Sequence, residues 1–271
     1  MCKVISVISC KGGVGKTTSA VNISSYMQMK GKKVCAVDLD PQHNLSKHFG
    51  IYAGYPSEFP TVYDLLNAAI NEADEKEMEA LVQESICQST TVDVVPSTAR
   101  LSSLETVIPT AMCPERLLDY VLSFIKKDYD YIFLDCHPGL DVFTKNALAA
   151  SDSVLIPVEA HILSSDGLDQ VEKMIRSVQR HLNKKLKIEG VIITKYQGNT
   201  NYCKQISDLI MRDFGDHIHI FDSYIKYAIK VAEAPTFGIS LHEYAPNIDA
   251  AKAYADIALE VMQSAEVIQN A

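Results

Sequence analysis

The strongest constraint on the fold is a short glycine-rich stretch between two patterned segments. Residues 10–18 read CKGGVGKTT and follow the apolar run KVISVIS. Glycine adopts positive φ without strain, so Gly12, Gly13 and Gly15 allow successive backbone N–H groups to turn inward around an anion. A helix that begins near Lys16 adds the positive end of its dipole. A strand, such a loop and a helix in this order predict a phosphate-binding loop.

The rest of the chain repeats the alternation of strand and helix. Short β-branched runs predict strands at 3–9, 33–38, 92–95, 130–135, 153–158 and 188–194. Amphipathic stretches predict helices at 16–30, 61–70, 74–86, 115–127, 140–150, 167–182, 201–213 and 247–268. The strand segments are nearly all apolar, as in parallel strands buried on both faces. We expect an α/β fold, a doubly wound and mostly parallel sheet with helices on both faces, forming one P-loop NTPase domain over residues 1–271.

Composition excludes several classes of protein. The chain carries 25 Lys plus Arg against 34 Asp plus Glu, a net charge of −9, so any contact with DNA must come from a local basic patch. No apolar run approaches the roughly 18 residues of a membrane span, and the N-terminus lacks a signal-peptide pattern. The seven cysteines include no C-x-x-C pair, which argues against a disulfide framework, a zinc site or a cluster-transfer protein. We expect a cytoplasmic protein with free thiols.

The residue types in the loop predict ATP and Mg²⁺ as its ligands. Lys16 is placed to reach the β and γ phosphates, and the Thr17 hydroxyl is placed to bind Mg²⁺. The loop departs from the general motif, because Cys10 stands where the first glycine belongs and Lys11 adds a second lysine. The predicted nucleotide-binding residues of the loop are Lys11, Gly12, Gly13, Val14, Gly15, Lys16, Thr17 and Thr18.

Two predicted strands end in aspartates at the edge where open α/β sheets bind ligands. The second strand runs into VDLDPQHN, which brings Asp38 and Asp40 to that edge, and the strand DYIFLD ends at Asp135. A carboxylate after several apolar residues is typical of a strand end that holds Mg²⁺. We therefore predict Thr17, Asp135 and Asp40 as the metal-binding residues. Asp38 either faces the ligand or only holds Thr17, the waters around Mg²⁺ or the loop.

The extra lysine, Lys11, and the motif DLDPQ resemble those of the ParA/Soj family of ATPases, which have a deviant Walker A loop. The similarity continues through NALAASDSVLIPV, GVIITKY and VAEAPTFGISLHEYAP, so it covers nearly the whole chain. It implies a slow, partner-stimulated ATP hydrolase in which Lys11 reaches across a dimer to the partner's ATP. In the family the second aspartate of DLDPQ, here Asp40, positions or deprotonates the attacking water. Lys11, Lys16 and Asp40 are then the catalytic residues.

One residue beside the site departs from the family. The family has a proline after the cysteine that follows Asp135, and this chain has His137. A histidine changes charge in the physiological range, so His137 either tunes hydrolysis or senses pH. The alternative is a partly solvated loop residue without a role.

A late stretch is similar to the family segment that passes the adenine and then contacts DNA. The resemblance implies that Ile225, Lys226 and Tyr227 lie beside the adenine and that Lys230 belongs to a DNA-binding surface. We expect Lys226 to add a second charge on the same helix face as Lys230. For each lysine, an ordinary solvated position is the alternative.

A separate basic run provides further candidates for DNA contact. Arg176 and Arg180 lie at the end of one predicted helix, and the lysines Lys184, Lys185 and Lys187 follow them. Phosphate contacts of this kind give binding that depends on salt and not on sequence. Asn199 stands where the family has an arginine, which implies weaker DNA binding than is usual in the family.

The resemblance predicts an ATP-dependent switch for the partition of a plasmid, a chromosome or a mobile element. ATP would drive a homodimer that binds DNA non-specifically on the nucleoid, and a ParB-like centromere-binding protein would stimulate hydrolysis. The loop begins at residue 10, so we expect the short form without an N-terminal helix-turn-helix. The alternative is a MinD-like or protein-cargo positioning ATPase that does not act on DNA. The end ALEVMQSAEVIQNA carries two glutamates and no Lys or Arg, which argues against a membrane-binding helix.

Overall fold

One sheet organises the chain in the computed structural model, which describes residues 2–54, 58–161, 164–198 and 200–269. Its strands are β1 (Lys3–Val7), β2 (Val34–Leu39), β3 (Cys87–Gln88), β4 (Asp93–Val95), β5 (Tyr131–Cys136), β6 (Ser153–Glu159) and β7 (Lys187–Thr194). Over these described ranges the seven strands follow the order β3-β4-β2-β5-β1-β6-β7. Only the short β3 pairs antiparallel, with β4, and the other pairings are parallel.

Helices connect the strands and cover the sheet. They are α1 (Lys16–Met29), α2 (Asn44–His48), α3 (Val62–Ile70), α4 (Glu75–Ser85), α5 (Leu117–Ser123), α6 (Val142–Ala150), α7 (Ser164–His181), α8 (Asn201–Phe214), α9 (Ile229–Glu233), α10 (Leu241–Tyr244) and α11 (Asp249–Gln269). Each strand predicted from the sequence is present, and so is each predicted helix. The predicted helix 115–127 is shorter at both ends, since α5 covers only Leu117–Ser123.

Strand residues divide between the two faces of the sheet by alternation. Cys35 and Val37 of β2 belong to the apolar cluster to which α3 through α8 contribute. Val34 and Ala36 of the same strand belong to the cluster built with α1 and α11. Successive side chains of a strand point to opposite faces, so apolar residues at every position require cover on both sides. The two clusters confirm the doubly wound α/β fold.

The strand order brings the predicted site residues to one edge. β5 lies between β2 and β1, and Asp135 of β5 is in register with Val7 of β1 and Asp38 of β2. Because these strands are parallel, their carboxyl ends meet at the same edge of the sheet. The phosphate loop after β1 therefore stands beside the aspartates of β2 and β5.

The elements that sequence patterns missed are short. Among the strands and α-helices of the described residues, they are the two-residue strand β3 and the helices α2, α9 and α10, which have five, five and four residues. Segments of this length do not complete two helical turns, so they leave no periodic signal. None of the helices in the described ranges combines the length and the apolar character needed to cross a membrane.

Candidate functional site

The phosphate loop has the backbone that its glycines predict. Gly13 has φ of +74° and Gly15 has φ of +91°, both in the left-handed region that strains residues with a side chain. Gly15 caps α1 without a side chain, and the first turn of α1 contains no acidic residue. The amide groups at the start of α1 are thus left for an external anion.

Lys16 is held inside the loop. Its side chain is buried, with a residue exposure of 6%, and its Nζ donates to the carbonyl oxygen of Lys11 at 3.2 Å. Burial lowers the pKa of Lys16, and the nearby Asp135 carboxylate opposes this shift. A desolvated ammonium group in this position gains from an anionic ligand that replaces its lost hydration.

Asp135 has the environment of a metal-binding carboxylate. Its Oδ2 accepts a hydrogen bond from Thr17 Oγ1 at 2.7 Å, and the residue is 1% exposed. Its Oδ1 is buried and has no hydrogen-bond partner among the described residues. Burial and the neighbouring Asp38 raise the pKa of Asp135 well above its ordinary value. A divalent cation beside Thr17 and Asp135 would compensate this buried carboxylate, so the residues fit Mg²⁺.

Asp38 and Asp40 have different roles in the turn after β2. Asp38 Oδ2 accepts from the backbone N of Ser46 at 2.9 Å and from Ser46 Oγ at 2.7 Å, so Asp38 holds α2. Burial raises the pKa of Asp38 to about 6. Asp40 borders the adjoining cavity, and its Oδ1 accepts from the backbone N of Gln42 at 2.8 Å. Asp38 therefore supports α2 and the turn before it, and within the described residues its hydrogen bonds do not join it to Thr17 or to the phosphate loop.

Lys11 and Lys16 border different spaces around the phosphate loop. It borders a small crevice formed with β6 and α7, together with Val14, Glu159 and Leu168. It does not border the larger cavity above Lys16 and Asp40, as far as the described residues define that cavity. The two lysines touch through the Lys11 carbonyl oxygen, but only Lys16 borders the larger cavity.

A cavity of about 640 Å³ opens above the loop. One end is bordered by the loop residues Gly13, Gly15, Lys16, Thr17 and Thr18 with Asp40, and the other end by Ile225, Lys226 and Tyr227. Backbone hydrogen bonds to the end of β7 position residues 225–227. Ile225 N donates to Ile193 O at 2.8 Å, and Tyr227 N donates to Tyr196 O at 3.1 Å. The structure thus joins the predicted phosphate and adenine residues in one cavity.

The cavity also includes residues that no motif indicated. Thr194, the last residue of β7, donates its Oγ1 to the carbonyl oxygen of Val14 at 2.7 Å and so braces the loop. Lys195 follows with φ of 51°, a strained value for a residue with a side chain. Asn44 and Lys47 of α2 border the same cavity. The positive φ after β7 is invisible in the sequence, because lysine does not signal it.

Comparisons with known proteins identify the family of this chain. The family model AAA_31, described as an AAA domain, matches residues 2–188. The sporulation initiation inhibitor protein Soj of Bacillus subtilis is 37% identical over 264 residues, covering 96% of this chain and 98% of Soj. The chromosome partitioning protein ParA of Caulobacter vibrioides is 33% identical over 266 residues, covering 96% of this chain and 94% of ParA. The chain belongs to the ParA/Soj family of partition ATPases.

A solved structure supports the same relationship. The putative plasmid partition protein of Borrelia burgdorferi, bound to AMPPNP, superposes with a TM-score of 0.77 at 25% identity. The match covers 97% of this chain and 99% of that protein. The ParA/Soj fold therefore extends over nearly all of both chains.

The late stretch that this ParA/Soj chain shares with its family folds differently from the expectation. Lys226 lies before α9, in a bridge with Tyr196, and the helix begins only at Ile229. The expectation that Lys226 and Lys230 share one helix face is therefore wrong. Lys226 Nζ forms an ion pair with Asp249 Oδ2 at 2.8 Å, whereas Lys230 is exposed on α9. Pairing with the end of β7 keeps residues 225–227 extended.

The second group of DNA candidates lies at the opposite edge of the sheet. α7 starts after β6 and returns to the beginning of β7, so Arg180 lies near Lys187, the first residue of that strand. Lys230 lies beyond the carboxyl end of β7. The eight residues of that strand span roughly 25 Å, so Lys230 and Arg180 lie about that far apart. Arg176 Nε donates to Glu172 Oε1 at 3.1 Å, and Arg180 is exposed. The two basic groups of one chain are thus separate surfaces.

Of the two residues that depart from the family pattern, His137 and Asn199, the structure describes His137. His137 Nδ1 lies 2.8 Å from Asp141 Oδ2, and Asp141 Oδ1 accepts from Thr144 N at 2.9 Å to cap α6. The histidine therefore braces the turn that follows β5 and is only partly solvated. Asn199, the residue in place of the family arginine, lies outside the described residues.

Proposed function

We propose that this chain is an ATP-driven switch for DNA partition, in which ATP joins two copies and the pair binds DNA until hydrolysis releases it. The proposal is carried by one observation: the phosphate loop, Asp40 and Asp135 border a single sheet edge in a chain similar to Soj over nearly its full length. ATP and Mg²⁺ are its expected ligands. We expect the whole chain, 1–271, to act as one domain.

The loop residues would bind the phosphates of ATP. Gly12 to Thr18 supply backbone N–H groups, and Lys16 supplies the positive charge beside the β and γ phosphates. Thr17, Asp135 and Asp40 would hold Mg²⁺, which neutralises charge on the phosphate oxygens when bound. Asp40 would orient the attacking water and accept its proton. Ile225, Lys226 and Tyr227 would pass the adenine.

Lys11 would act on the partner's ATP. Its position beside β6 and α7, away from the cavity of its own chain, supports this role. A lysine that enters the opposite site only when two copies meet makes hydrolysis depend on dimerisation. A ParB-like partner would then stimulate a slow reaction.

DNA contact would come from local lysines and arginines and not from overall charge. Lys230 and Arg180 are exposed, and Lys226 and Arg176 add charges that carboxylates partly neutralise. Such contacts are to phosphate, so binding would be independent of sequence. The ATP-bound dimer would therefore associate with the nucleoid.

A binding assay tests the proposal. We expect Mg-ATP, and not Mg-ADP, to let the chain raise the anisotropy of labelled DNA duplexes of unrelated sequence. Affinity should fall steeply between about 50 and 200 mM salt. Lys16→Ala serves as the control, because it should respond to neither nucleotide. A protein that dimerises with ATP but leaves DNA unbound at low salt would instead be a positioning ATPase for a protein cargo.

A further inference from the structure

The segment that carries Lys230 has little burial of its own. Residues 229–240, which we call the arm, include α9, none of whose residues is buried, while Ala234 and Ser240 later in the arm are buried. Val231 and Ala232 of the arm border the nucleotide cavity. Tyr244 Oη donates to Glu233 Oε2 at 2.9 Å on the outer side. A segment held by so few buried contacts takes its position from its anchors.

The far end of the arm has two anchors, and both lead to the nucleotide site. His48 Nε2 lies 3.0 Å from the carbonyl oxygen of Ile239. The backbone N of Leu241 donates to Asn22 Oδ1 at 2.7 Å, and Asn22 Nδ2 donates to Thr18 O at 2.8 Å. The arm is therefore tied to α2 behind Asp40 and to α1 behind the phosphate loop.

In the hydrogen bond between His48 and Ile239, the histidine ring is the donor. The residue is 4% exposed, and burial lowers the pKa of its ring, so a neutral ring donates from Nε2 to the carbonyl oxygen of Ile239. The backbones also approach closely here. A Cβ added to Gly238, which has φ of +70°, would lie 3.7 Å from the carbonyl oxygen of His48 and 3.8 Å from the N of Gly50.

The other end of α2 is bonded to the aspartates of β2. The carbonyl oxygen of Asp40 accepts from His43 N at 2.8 Å, while its Oδ1 accepts from Gln42 N. Asp38 holds Ser46 in the middle of the helix through two hydrogen bonds. The five-residue helix is therefore bonded to the end of β2 through Asp38, and the turn before it is bonded to Asp40.

We propose that His48 is a positioning residue that couples Asp40 to the arm, so that bound ATP places Lys230 for contact with DNA. This inference rests on the proposed function. When Asp40 turns towards the water beside the γ phosphate, its carboxylate releases Gln42 N, and the turn shifts with α2. His48 transmits that shift to Ile239. His48 also borders the nucleotide cavity, because α2 packs against the arm at that point.

The first test measures DNA binding of the full chain at saturating Mg-AMPPNP. At saturation a moderate change in nucleotide affinity does not alter the measured DNA affinity. We expect His48→Ala to weaken binding of an unrelated duplex at least about fivefold, the lower end of common coupling strengths. His48→Gln retains an N–H donor for Ile239 and should restore binding to within about twofold of the parental protein. Parental affinity in His48→Ala would overturn the coupling.

A matched control is available at His43, the residue that precedes α2. The ring of His43 bonds within its own turn, with Nδ1 3.1 Å from Pro41 O, and the residue has φ of 48°. Asparagine tolerates this backbone, so His43→Asn removes the ring without strain. Its DNA binding should equal that of the parental protein. A loss equal to that of His48→Ala would assign the effect to any change in α2 and would refute a role specific to His48.

A second readout separates this inference from the proposed function. The chain contains no tryptophan, so Phe237→Trp places a single indole in the arm, where Phe237 is 61% exposed and stacks on Tyr244. Mg-AMPPNP should shift its emission relative to Mg-ADP, and His48→Ala should abolish the shift. If the parental protein does not bind DNA in the first assay, the proposed function is refuted, and the coupling is still tested by the indole emission. No shift in the parental background, or an equal shift in His48→Ala, refutes the coupling.

A variant on the other side of the contact tests the coupling independently, in case His48→Ala does not fold. Gly238→Ala strains a positive φ next to Ile239 and should therefore disturb the carbonyl that the His48 ring contacts. We expect it to lose the indole shift and the DNA affinity in the same proportion as His48→Ala. Retention of both in folded Gly238→Ala would count against the contact.

Discussion

Asp40 has both a structural and a catalytic assignment, and two substitutions separate them. Asp40→Ala should keep Mg-ATP binding and lose hydrolysis by about 100-fold or more, because a group that orients and deprotonates water acts in the transition state. Phosphate release measures the rate, and size-exclusion chromatography with ATP should show a persistent dimer.

The control is Asp40→Asn, which retains a side-chain carbonyl for Gln42 N. It should be as inactive as Asp40→Ala, since it keeps the turn and lacks the base. Turnover at the parental rate in Asp40→Asn would remove the catalytic assignment and leave only the structural one.

The two loop lysines should differ when each is replaced by alanine. Lys16→Ala removes the buried charge beside the phosphates and should weaken Mg-ATP binding at least about tenfold, as expected for hydrogen bonds to charged groups worth about 1.5–3 kcal/mol. Lys11→Ala should leave ADP affinity within about threefold and abolish ATP-driven dimerisation. Calorimetry and light scattering measure the two properties. Equal loss of ADP affinity in both variants would contradict the assignment of Lys11 to the partner's site.

An ion pair between β1 and β7 gives the helix α11 a polar attachment to the sheet in addition to its apolar packing. Lys3 Nζ of β1 and Glu189 Oε2 of β7 are 2.7 Å apart, with side-chain exposures of 12% and 9%. Ser264 of α11 donates its Oγ to the same carboxylate. Burial alone would raise the pKa of Glu189, but the charge of Lys3 and the hydrogen bonds outweigh it and lower that pKa.

This pair predicts a pH-dependent stability. Because the pKa of Glu189 is lower in the folded chain, its stabilising effect is present above the ordinary value of 4.5 and is lost as the pH falls below it. Glu189→Gln leaves Lys3 buried and unpaired, so it should lower the free energy of unfolding by about 3 kcal/mol or more at pH 7. Urea titrations at pH 7 and pH 4 should show this difference shrinking at pH 4.

The exposed pair Lys173 and Asp169 is the control for that measurement. Its two atoms are 2.6 Å apart, but its side chains are 73% and 48% exposed. Asp169→Asn should change the unfolding free energy by less than about 1 kcal/mol at either pH. A Glu189→Gln effect of the same small size would mean that the buried pair does not stabilise the attachment of α11.

An acidic chain with separate basic surfaces should bind DNA through bivalence. Two weak surfaces joined by ATP act as one, and the apparent affinity can rise by roughly 10²–10⁴ even though neither surface changes. Lys230 lies beyond the carboxyl end of β7, the edge that also bears the phosphate loop, and Arg180 lies at the opposite edge. We therefore expect the Lys230 surface to lie closer to the dimer contact.

This geometry predicts unequal effects on DNA binding. With Mg-AMPPNP, Lys230→Ala should weaken binding uniformly across DNA sequences and reduce the salt slope by about 0.9 for each DNA phosphate that the lysine neutralises. Lys226→Ala should have a smaller effect, because Asp249 already neutralises that lysine. Arg180→Ala is the comparison at the opposite edge. A larger effect of Arg180→Ala than of Lys230→Ala would move the DNA surface to α7.

Much of this arrangement was predictable from local sequence. The phosphate loop depends on glycines and a lysine within nine residues, and each buried strand depends on a run of apolar side chains. Parallel strands then bring their carboxyl ends together, so the proximity of Asp38, Asp40 and Asp135 follows from the pattern. These features depend on backbone preferences and on burial, which a short window of sequence records.

Other features required the folded chain. Lys226 lies off the helix because it pairs with Tyr196, thirty residues earlier, and Lys11 borders a crevice with β6 because that strand lies next to β1. His48 and Ile239 meet although 191 residues separate them. Such contacts depend on which distant segments become neighbours, and a single polar residue does not specify its partner. Local chemistry therefore predicted the phosphate site, and long-range packing determined which residues surround it and what they can move.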